Sequence, residues 1–593
     1  MMNKRRLLAL LICAAMIILT LTGCGNSKPE NKTDTPPDEL TLSGEEVTDV
    51  TAITGSTDEN GNVIDNKGIT DAEGHRIYDT GYKDANGNTI YTTGKKDANG
   101  NILYTLNKTD DRGNLLYYTG KKNNGKLELD QTNAVPDYTT DKNSKLDQNS
   151  RYSTTGTVEF KPEKDEKTAK GIVKSYINYG GGSSYDMFRK VVSDKNGGYI
   201  AAGISESRNG IYSDANSAWG TFGVVSKISD SGKVEWTYLT GGDNSVQLND
   251  VAQLKDGSII AVGYTSATDT DAPLNSKLVS SLIVKLSKKG ELQWAYSFPG
   301  DENSNGDYLN CVAATPDGGF VAGGRADSTS GFFTGTKENN FKAFIFKFKK
   351  NGDIEWRKTL SGSRGNGFTA LEANTDGDIF ATCVSYSNDG SFASLAGYGK
   401  NANTVVMKFS SKGELNWSSN LVGSGVSEYN ALSVTSDGGC IVGGKFSINK
   451  RADGSYSSCY GKTDGYVVRF NKDGGVYWAR NVGGTGDDEV TSVTVTDLGI
   501  IVTGRTTSAD MDFSKFKNAG KSDSFVMILN SEGKTTYTES FGGSADDAIL
   551  GTAATSDGFV AVGWTSSSDG TFKESKAGKT AEAFYASFRL SAE

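Results

Sequence analysis

Histidine is almost missing from this 593-residue chain. His75 is the single copy, and nothing after it carries an imidazole. That absence removes Ser-His-Asp and Cys-His nucleophilic sites, and His-ligated zinc or iron, from everything downstream. His75 itself fills a slot held by Asn88 and Asn101 in sister repeats, so it reads as a solvated turn residue. Cysteine is sparse, with six copies. Cys13 and Cys24 belong to the N-terminal segment, and Cys311 and Cys440 lie in strand patterns as buried thiols. Cys383 and Cys459 are the one pair that could bridge neighbouring units, so there is no disulfide framework. Proline numbers 8 against 73 glycines, the balance of a chain with many tight turns. An excess of positive charge is missing too. The formal net charge of −10 argues against nucleic acid as a partner.

The N-terminus reads as a targeting segment. Lys4, Arg5 and Arg6 precede an apolar run from Leu7 to Leu21, which is short for a spanning helix. The run ends in Leu21-Thr22-Gly23-Cys24, which resembles the bacterial lipobox. The resemblance implies a lipoprotein signal peptide over 1–23 and a Cys24 diacylated (palmitate-type) on sulfur, enough for stable anchoring. The alternative is a plain signal peptide with a chance cysteine. The expected location is the extracytoplasmic face of a cell membrane.

Residues 24–55 are polar and read as a disordered tether. Over 56–130 a unit of thirteen residues repeats, with Asp58, Asp71, Asp84, Asp97 and Asp110 in register and Tyr78, Tyr91, Tyr104 and Tyr117 behind them. Each copy carries an Asn-Gly turn, a short strand and a second turn such as Thr93-Gly94, which predicts a stalk of short β-hairpins. The Asp-x-Asn-Gly-Asn core looks like the start of a Ca²⁺ loop. No bidentate Glu follows at the required place, so structural turns are preferred and Ca²⁺ is kept as a secondary cofactor option. A linker over 131–171 leads onward.

From there a longer period takes over. An aromatic residue returns about every sixty positions, the sign of stacked or radial units. The series is Tyr176, Trp236, Trp294, Trp356, Trp417, Trp478 and Tyr537. From Trp236 onward each follows a glycine by four residues, as Gly232 precedes Trp236. Between aromatics come an Asp-Gly or Asn-Gly turn, an apolar run ending in glycine, and an apolar strand usually carrying a basic residue. Asp317-Gly318, Gly324 and Lys347 are one set. A further strand lies upstream of each turn, as at Asn310 to Ala314. Four strands per period is the content of one β-propeller blade.

The chain ends set the blade number. The last repeat reaches only its third strand, Phe584 to Leu590, and the missing fourth sits at Ile172 to Tyr179. Pairing them closes a ring and leaves no open edge. The expected fold is all-β, a seven-bladed β-propeller over 172–593 closed by its N-terminal strand and preceded by short hairpin repeats.

Candidate chemistry falls to carboxylates. Asp186, Asp307, Asp487 and Asp547 lie ten residues before the blade turn, and Asn366, Ser427 and Val246 hold the other slots. They are candidate metal or polar-ligand residues around the channel mouth, and close pairs could serve a glycosidase. The competing reading, that each caps backbone amides of its own loop, is favoured. The loops between second and third strands vary from blade to blade. They carry aromatics expected to be exposed, including Tyr212, Phe332, Phe333, Tyr398 and Tyr460.

The Asp-Gly-Gly-aromatic run, the apolar-Lys strand and the Gly-x-x-x-Trp turn together resemble repeat propellers of bacterial surface lipoproteins. They are also similar to quinoprotein-like (PQQ-like) propellers, which share the Gly232-to-Trp236 spacing. Those dehydrogenases have eight blades and a vicinal cysteine pair, absent here, so no quinone is expected. The function expected is that of a monomeric, non-enzymatic binding or scaffold lipoprotein for a glycan, peptide or protein. The alternative is an extracellular carbohydrate-active hydrolase or lyase using paired carboxylates.

Overall fold

The computed structural model describes residues 167–591 outside a number of blade loops, together with strand segments between 69 and 136. The signal segment, Cys24, the tether, His75, Cys459, Phe332, Tyr398 and Tyr460 lie outside the described residues. The chain divides into two compact units, each taken by itself below.

The thirteen-residue repeats form an antiparallel meander. Its strands include Arg76–Lys83, Thr89–Lys96, Ile102–Thr109, Leu115–Asn123 and Lys126–Leu129, each paired with the next. The expected second turn at Thr93-Gly94 is not a turn. The strand Thr89–Lys96 runs through it, and the pairing register shifts between Thr92 and Lys96. A glycine inside a strand weakens the ladder and marks a bulge, so one repeat makes one strand and one hairpin turn.

The larger unit is a ring of seven four-stranded antiparallel sheets. Their innermost strands are Asp186–Ser193, Val246–Gln253, Asp307–Ala314, Asn366–Ala373, Val426–Val434, Asp488–Thr496 and Asp547–Ala554, which define blades 1 to 7. The inner strand of blade 7 packs against that of blade 1, so the ring is closed. Blade 7 takes its outer strand from the start of the unit. Gly171–Tyr179 pairs with Glu582–Ser591, with Tyr179 opposite Phe584 and Tyr176 opposite Ser587.

The repeated residues each have a packing task. The aromatic of one blade lies on the turn glycine of the next. A Cβ at Gly290 would meet Trp236, one at Gly413 Trp356, one at Gly474 Trp417, and one at Gly232 Tyr176. The indole N–H groups of Trp356, Trp417 and Trp478 donate to the carbonyls of Ser411, Lys472 and Ser531 at 2.9, 2.9 and 2.7 Å. In blades 1, 3, 4 and 5 the basic residue of the third strand pairs with the turn acid of its own blade, whereas Lys285 of blade 2 donates to the Lys350 carbonyl. Lys227–Asp194 is 2.5 Å, Lys347–Asp317 2.7 Å, Lys408–Asp378 2.9 Å and Arg469–Asp437 3.0 Å.

The glycine ending the second strand serves the channel wall. All seven inner strands carry a bulge, as between Leu309 and Cys311, and Gly324 lies beside it. A Cβ at Gly324 would collide with the Tyr308 carbonyl. Bulged residues then reach across to the next blade. Asn249 donates to the Leu309 carbonyl at 2.8 Å, Asn310 to that of Phe368 at 2.9 Å, and Thr369 to that of Tyr429 at 2.7 Å. These side chains lace the channel wall and satisfy carbonyls that the bulge removes from the ladder.

Candidate functional site

Asp186, Asp307 and Asp547 each open an inner strand and are fully buried. Asp547 accepts hydrogen bonds from Thr565 Oγ1, from Ser567 Oγ at 2.9 Å and from the Gly543 amide at 2.9 Å. Asp186 accepts from Ser205 Oγ, from Ser207 Oγ at 2.8 Å and from the Gly182 amide at 2.7 Å. Asp307 accepts from Ser328 Oγ at 2.7 Å and from the amides of Asp327 and Ser328. Asn366 accepts from Ser385 Oγ at 2.6 Å and donates to the Arg364 carbonyl. Val246 and Ser427 occupy the same register position in blades 2 and 5.

In blade 6 the residue that belongs to this set is Asp488, and Asp487 is a one-residue miscount. Asp488 is buried opposite Thr506 and accepts from Thr506 Oγ1, from Ser508 Oγ at 2.8 Å and from the Gly484 amide at 2.8 Å. Asp487 is exposed, and its amide donates to Thr507 Oγ1. The blade 6 hairpin, like that of blade 7, is one residue shorter than those of blades 1 to 5, and its turn carries Leu498-Gly499 where blade 7 has Asp557-Gly558. Asp497 stands one place ahead of that position, so counting back from it lands one place early. Burial pushes the carboxyls of Asp186, Asp488 and Asp547 above their ordinary range, against the hydroxyl and amide donors that favour the anion. In blades 1, 6 and 7 one carboxylate oxygen accepts from the last residue of the second strand and the other from the flanking loops, so both oxygens are occupied in holding the strand end and its loops. Among the described residues no group of three or more His, Cys, Asp or Glu is placed to hold a metal ion.

Two expected loop aromatics are not exposed. Tyr212 is buried, its hydroxyl donating to the Gly180 carbonyl, and Phe333 is buried against Phe344. Tyr212 is held inward by its bond to the Gly180 carbonyl and by edge-on packing against Phe222, and Phe333 by packing against Phe344 and Phe346, where each ring buries apolar area that water would otherwise cover. Cys383 is a free buried thiol, as are Cys311 and Cys440.

Deeper in the channel wall, two acids were not singled out by sequence. Asp250 accepts from the Val312 amide at 2.9 Å and the Val251 amide at 2.8 Å; Glu372 accepts from the Val434 amide at 3.0 Å. Enclosure by protein pushes the Asp250 carboxyl up to about 6 and that of Glu372 up to about 8, against the pull of Lys190 on both. Both residues keep partial exposure, although protein surrounds their carboxyls.

The varied surface lies at the rim. On each second strand, the residue just after the bulge-facing position sits opposite the first residue after the inner-strand slot. Around the ring these are Ile204, Tyr264, Arg325, Val384, Lys445, Arg505 and Trp564. Tyr264 packs edge-on to Tyr308 of the next blade at 5.0 Å. Lys445 bonds Glu428 at 3.0 Å and lies 3.7 Å from Glu489, and Arg505 pairs with Glu489 at 3.0 Å. Burial alone would depress the Lys445 ammonium, but the Glu489 and Glu428 carboxylates hold it above its ordinary value. The signal was present in sequence: these are the residues directly following the repeated glycine, or Cys383 in blade 4.

No protein-family model matches this sequence, and no curated protein matches it significantly. Solved structures of low identity resemble it in outline. The WD40 β-propeller domain of Doa1 is 11% identical, with a TM-score of 0.36 over 70% of this chain and 97% of that one. A europium-containing methanol dehydrogenase is 10% identical, with a TM-score of 0.32 over 72% of this chain and 95% of that one. A variant of the Synechocystis apocarotenoid oxygenase is 11% identical, with a TM-score of 0.30 over 54% of this chain and 68% of that one. The β-propeller fold itself is established by the seven sheets in a ring.

Proposed function

We propose that this protein is an exported binding or scaffold module, anchored to a membrane by lipid on Cys24. It presents the rim of its propeller to a glycan, peptide or protein partner. The observation that carries this reading is the rim series from Ile204 to Trp564, in which one equivalent position changes character from blade to blade. Glycines, turn acids and aromatic stacks recur around the same frame. A rigid repeated scaffold with one varied position, at least partly exposed in every blade but the first, where Ile204 is buried, has the organisation of a recognition surface. The occupied oxygens of Asp186, Asp488 and Asp547 favour loop capping over a catalytic role.

A second reading, an extracellular carbohydrate-active hydrolase or lyase, draws on Glu372 and Asp250. A carboxyl that keeps its proton near neutral pH meets the first requirement of a general acid. One preparation of the full chain tests both readings. Cys24→Ser should move the protein from the membrane fraction to the soluble fraction. A glycan and peptide binding panel should give signals that fall on substitution of rim residues. Glycan hydrolysis that vanishes with Glu372→Gln would overturn the binding reading in favour of the enzyme.

A further inference from the structure

Arg325 differs from the other rim cations in what faces it. In blades 5 and 6, Lys445 and Arg505 are neutralised by Glu428 and Glu489. Both acids come from the inner-strand position directly after the slot. At the boundary of blades 3 and 4 the same two positions are Tyr308 and Gly367. A Cβ built on Gly367 would lie 3.1 Å from the Arg325 Cβ, so position 367 is where an opposing acid would stand, as Glu489 stands to Lys445.

Arg325 is nevertheless held in place. It is exposed, with its guanidinium carbon 4.7 Å from the centre of the Tyr308 ring and 4.8 Å from that of Phe341. Among the described residues no carboxylate comes within ion-pairing distance of it, whereas the equivalent cations two and three blades on are paired. A guanidinium seated against two touching rings, with no described residue bonded to its donor fork, has already lost much of its rotamer freedom, which lowers the entropic cost of binding an anion. Arg189 adds a second cation on this arc. It is held by the neutral amide oxygens of Asn249 and Gln247, each at 3.1 Å. The Tyr264 hydroxyl feels both guanidinium groups.

We infer that Arg325 is the receptor for a carboxylate carried by the ligand, which takes the place that Glu489 fills beside Lys445. The half-buried rings of Tyr264 and Tyr308 next to it offer a platform for a pyranose, so the ligand class is a uronate-bearing saccharide. This rests on the reading of the propeller as a binding module.

The test is calorimetry on the full chain with trigalacturonate, its methyl ester, maltotriose and triglycine. Trigalacturonate is expected to bind, and its ester to bind at least about tenfold more weakly. Arg325→Ala should lose about tenfold or more, Arg325→Lys less, because the charge stays and the fork goes. Gly367→Glu should weaken trigalacturonate as strongly as Arg325→Ala, since it supplies the missing acid internally. Arg589→Ala, on the third strand of blade 7 next to its turn, should change nothing. Thermal melts run beside the titrations separate lost binding from lost folding. Equal binding of acid and ester, indifference to Arg325→Ala in a folded variant, or no binding of trigalacturonate to the unsubstituted chain would each overturn the inference. Triglycine binding as well as trigalacturonate would overturn the saccharide assignment. Maltotriose binding lost with Tyr308→Ala would sink the carboxylate receptor while leaving the binding module standing. Silence from every probe would sink both.

Discussion

The indole of Trp417 covers Gly474 of the following blade and donates its N–H to the Lys472 carbonyl at 2.9 Å. Trp and Gly are therefore one interaction read in two places. Gly474 has φ +84°, and a Cβ there would come within 2.7 Å of the indole. Gly474→Ala should destabilise the propeller by about 2–4 kcal/mol, because left-handed strain and a clash combine. Gly318→Ala is the control. Its φ is +88° but its Cβ would meet nothing within 4 Å, so about 1 kcal/mol of strain alone is expected. Denaturant melts of the two variants measure the difference.

Asp194 and Lys227 form a pair 2.5 Å apart, both side chains almost wholly buried. The Lys227 bond, together with the Asn196 amide and the Gln253 side chain, holds the Asp194 carboxyl below its ordinary value despite the opposing effect of burial. A depressed carboxyl contributes stability that is present above its unfolded pKa and is lost as pH falls through the folded one. Asp194→Asn should therefore cost about 3–5 kcal/mol at pH 7, with Lys227 left buried and unpaired. The gap to the unsubstituted protein should narrow in acid, as thermal melts across pH 3 to 7 would show, about the range where carboxylates titrate.

Glu372 predicts the opposite slope. Burial raises its carboxyl to about 8, so the folded state binds this proton more tightly than the unfolded chain does. Its contribution is fully present below the unfolded carboxyl value and is lost as pH rises towards about 8. Glu372→Gln keeps an acceptor for the Val434 amide and removes the titration. Its melting point should match the parent in acid and exceed it by a few degrees in mild alkali. A parallel pair of curves would refute the assignment.

Tyr176 sits on the closing strand, with its ring against Gly232 and its hydroxyl 2.9 Å from that of Tyr199 in blade 1. Removing residues through Tyr179 exposes the backbone of Glu582–Ser591 as an open edge. The truncated chain should melt several degrees lower and self-associate. A peptide spanning 171–179, added in trans, should recover part of the loss. Unchanged melting and mass by light scattering would mean that the ring does not depend on this strand.

Much of the architecture was legible because its causes are local. A turn glycine needs positive φ, a strand needs alternating apolar residues, and each blade repeats both, so Gly474, Trp417 and the turn acids announce themselves in one dimension. The slot acids were legible to within one residue. Asp488 was missed because the turn acid Asp497 stands one position ahead of where blade 7 carries Asp557, and only pairing with Thr506 shows which acid faces inward. Tyr212 and Phe333 misled for a related reason. Loop position suggests exposure, but contacts distant in sequence decide it, such as Tyr212 with the Gly180 carbonyl and Phe333 with Phe344.

By itself the sequence determined the number of blades, the closing strand and the residues that pack one blade on the next, since each follows from short-range periodicity and from counting strands at the two ends. The tertiary structure decided which side chains meet. Arg325 and Lys445 hold equivalent places in the repeat, yet one faces Gly367 and the other Glu489. Charge pairing acts through space over a few ångströms between residues that lie about forty positions apart in the chain, so it took the packing of neighbouring blades to set Lys445 beside Glu489 and Arg325 beside Gly367.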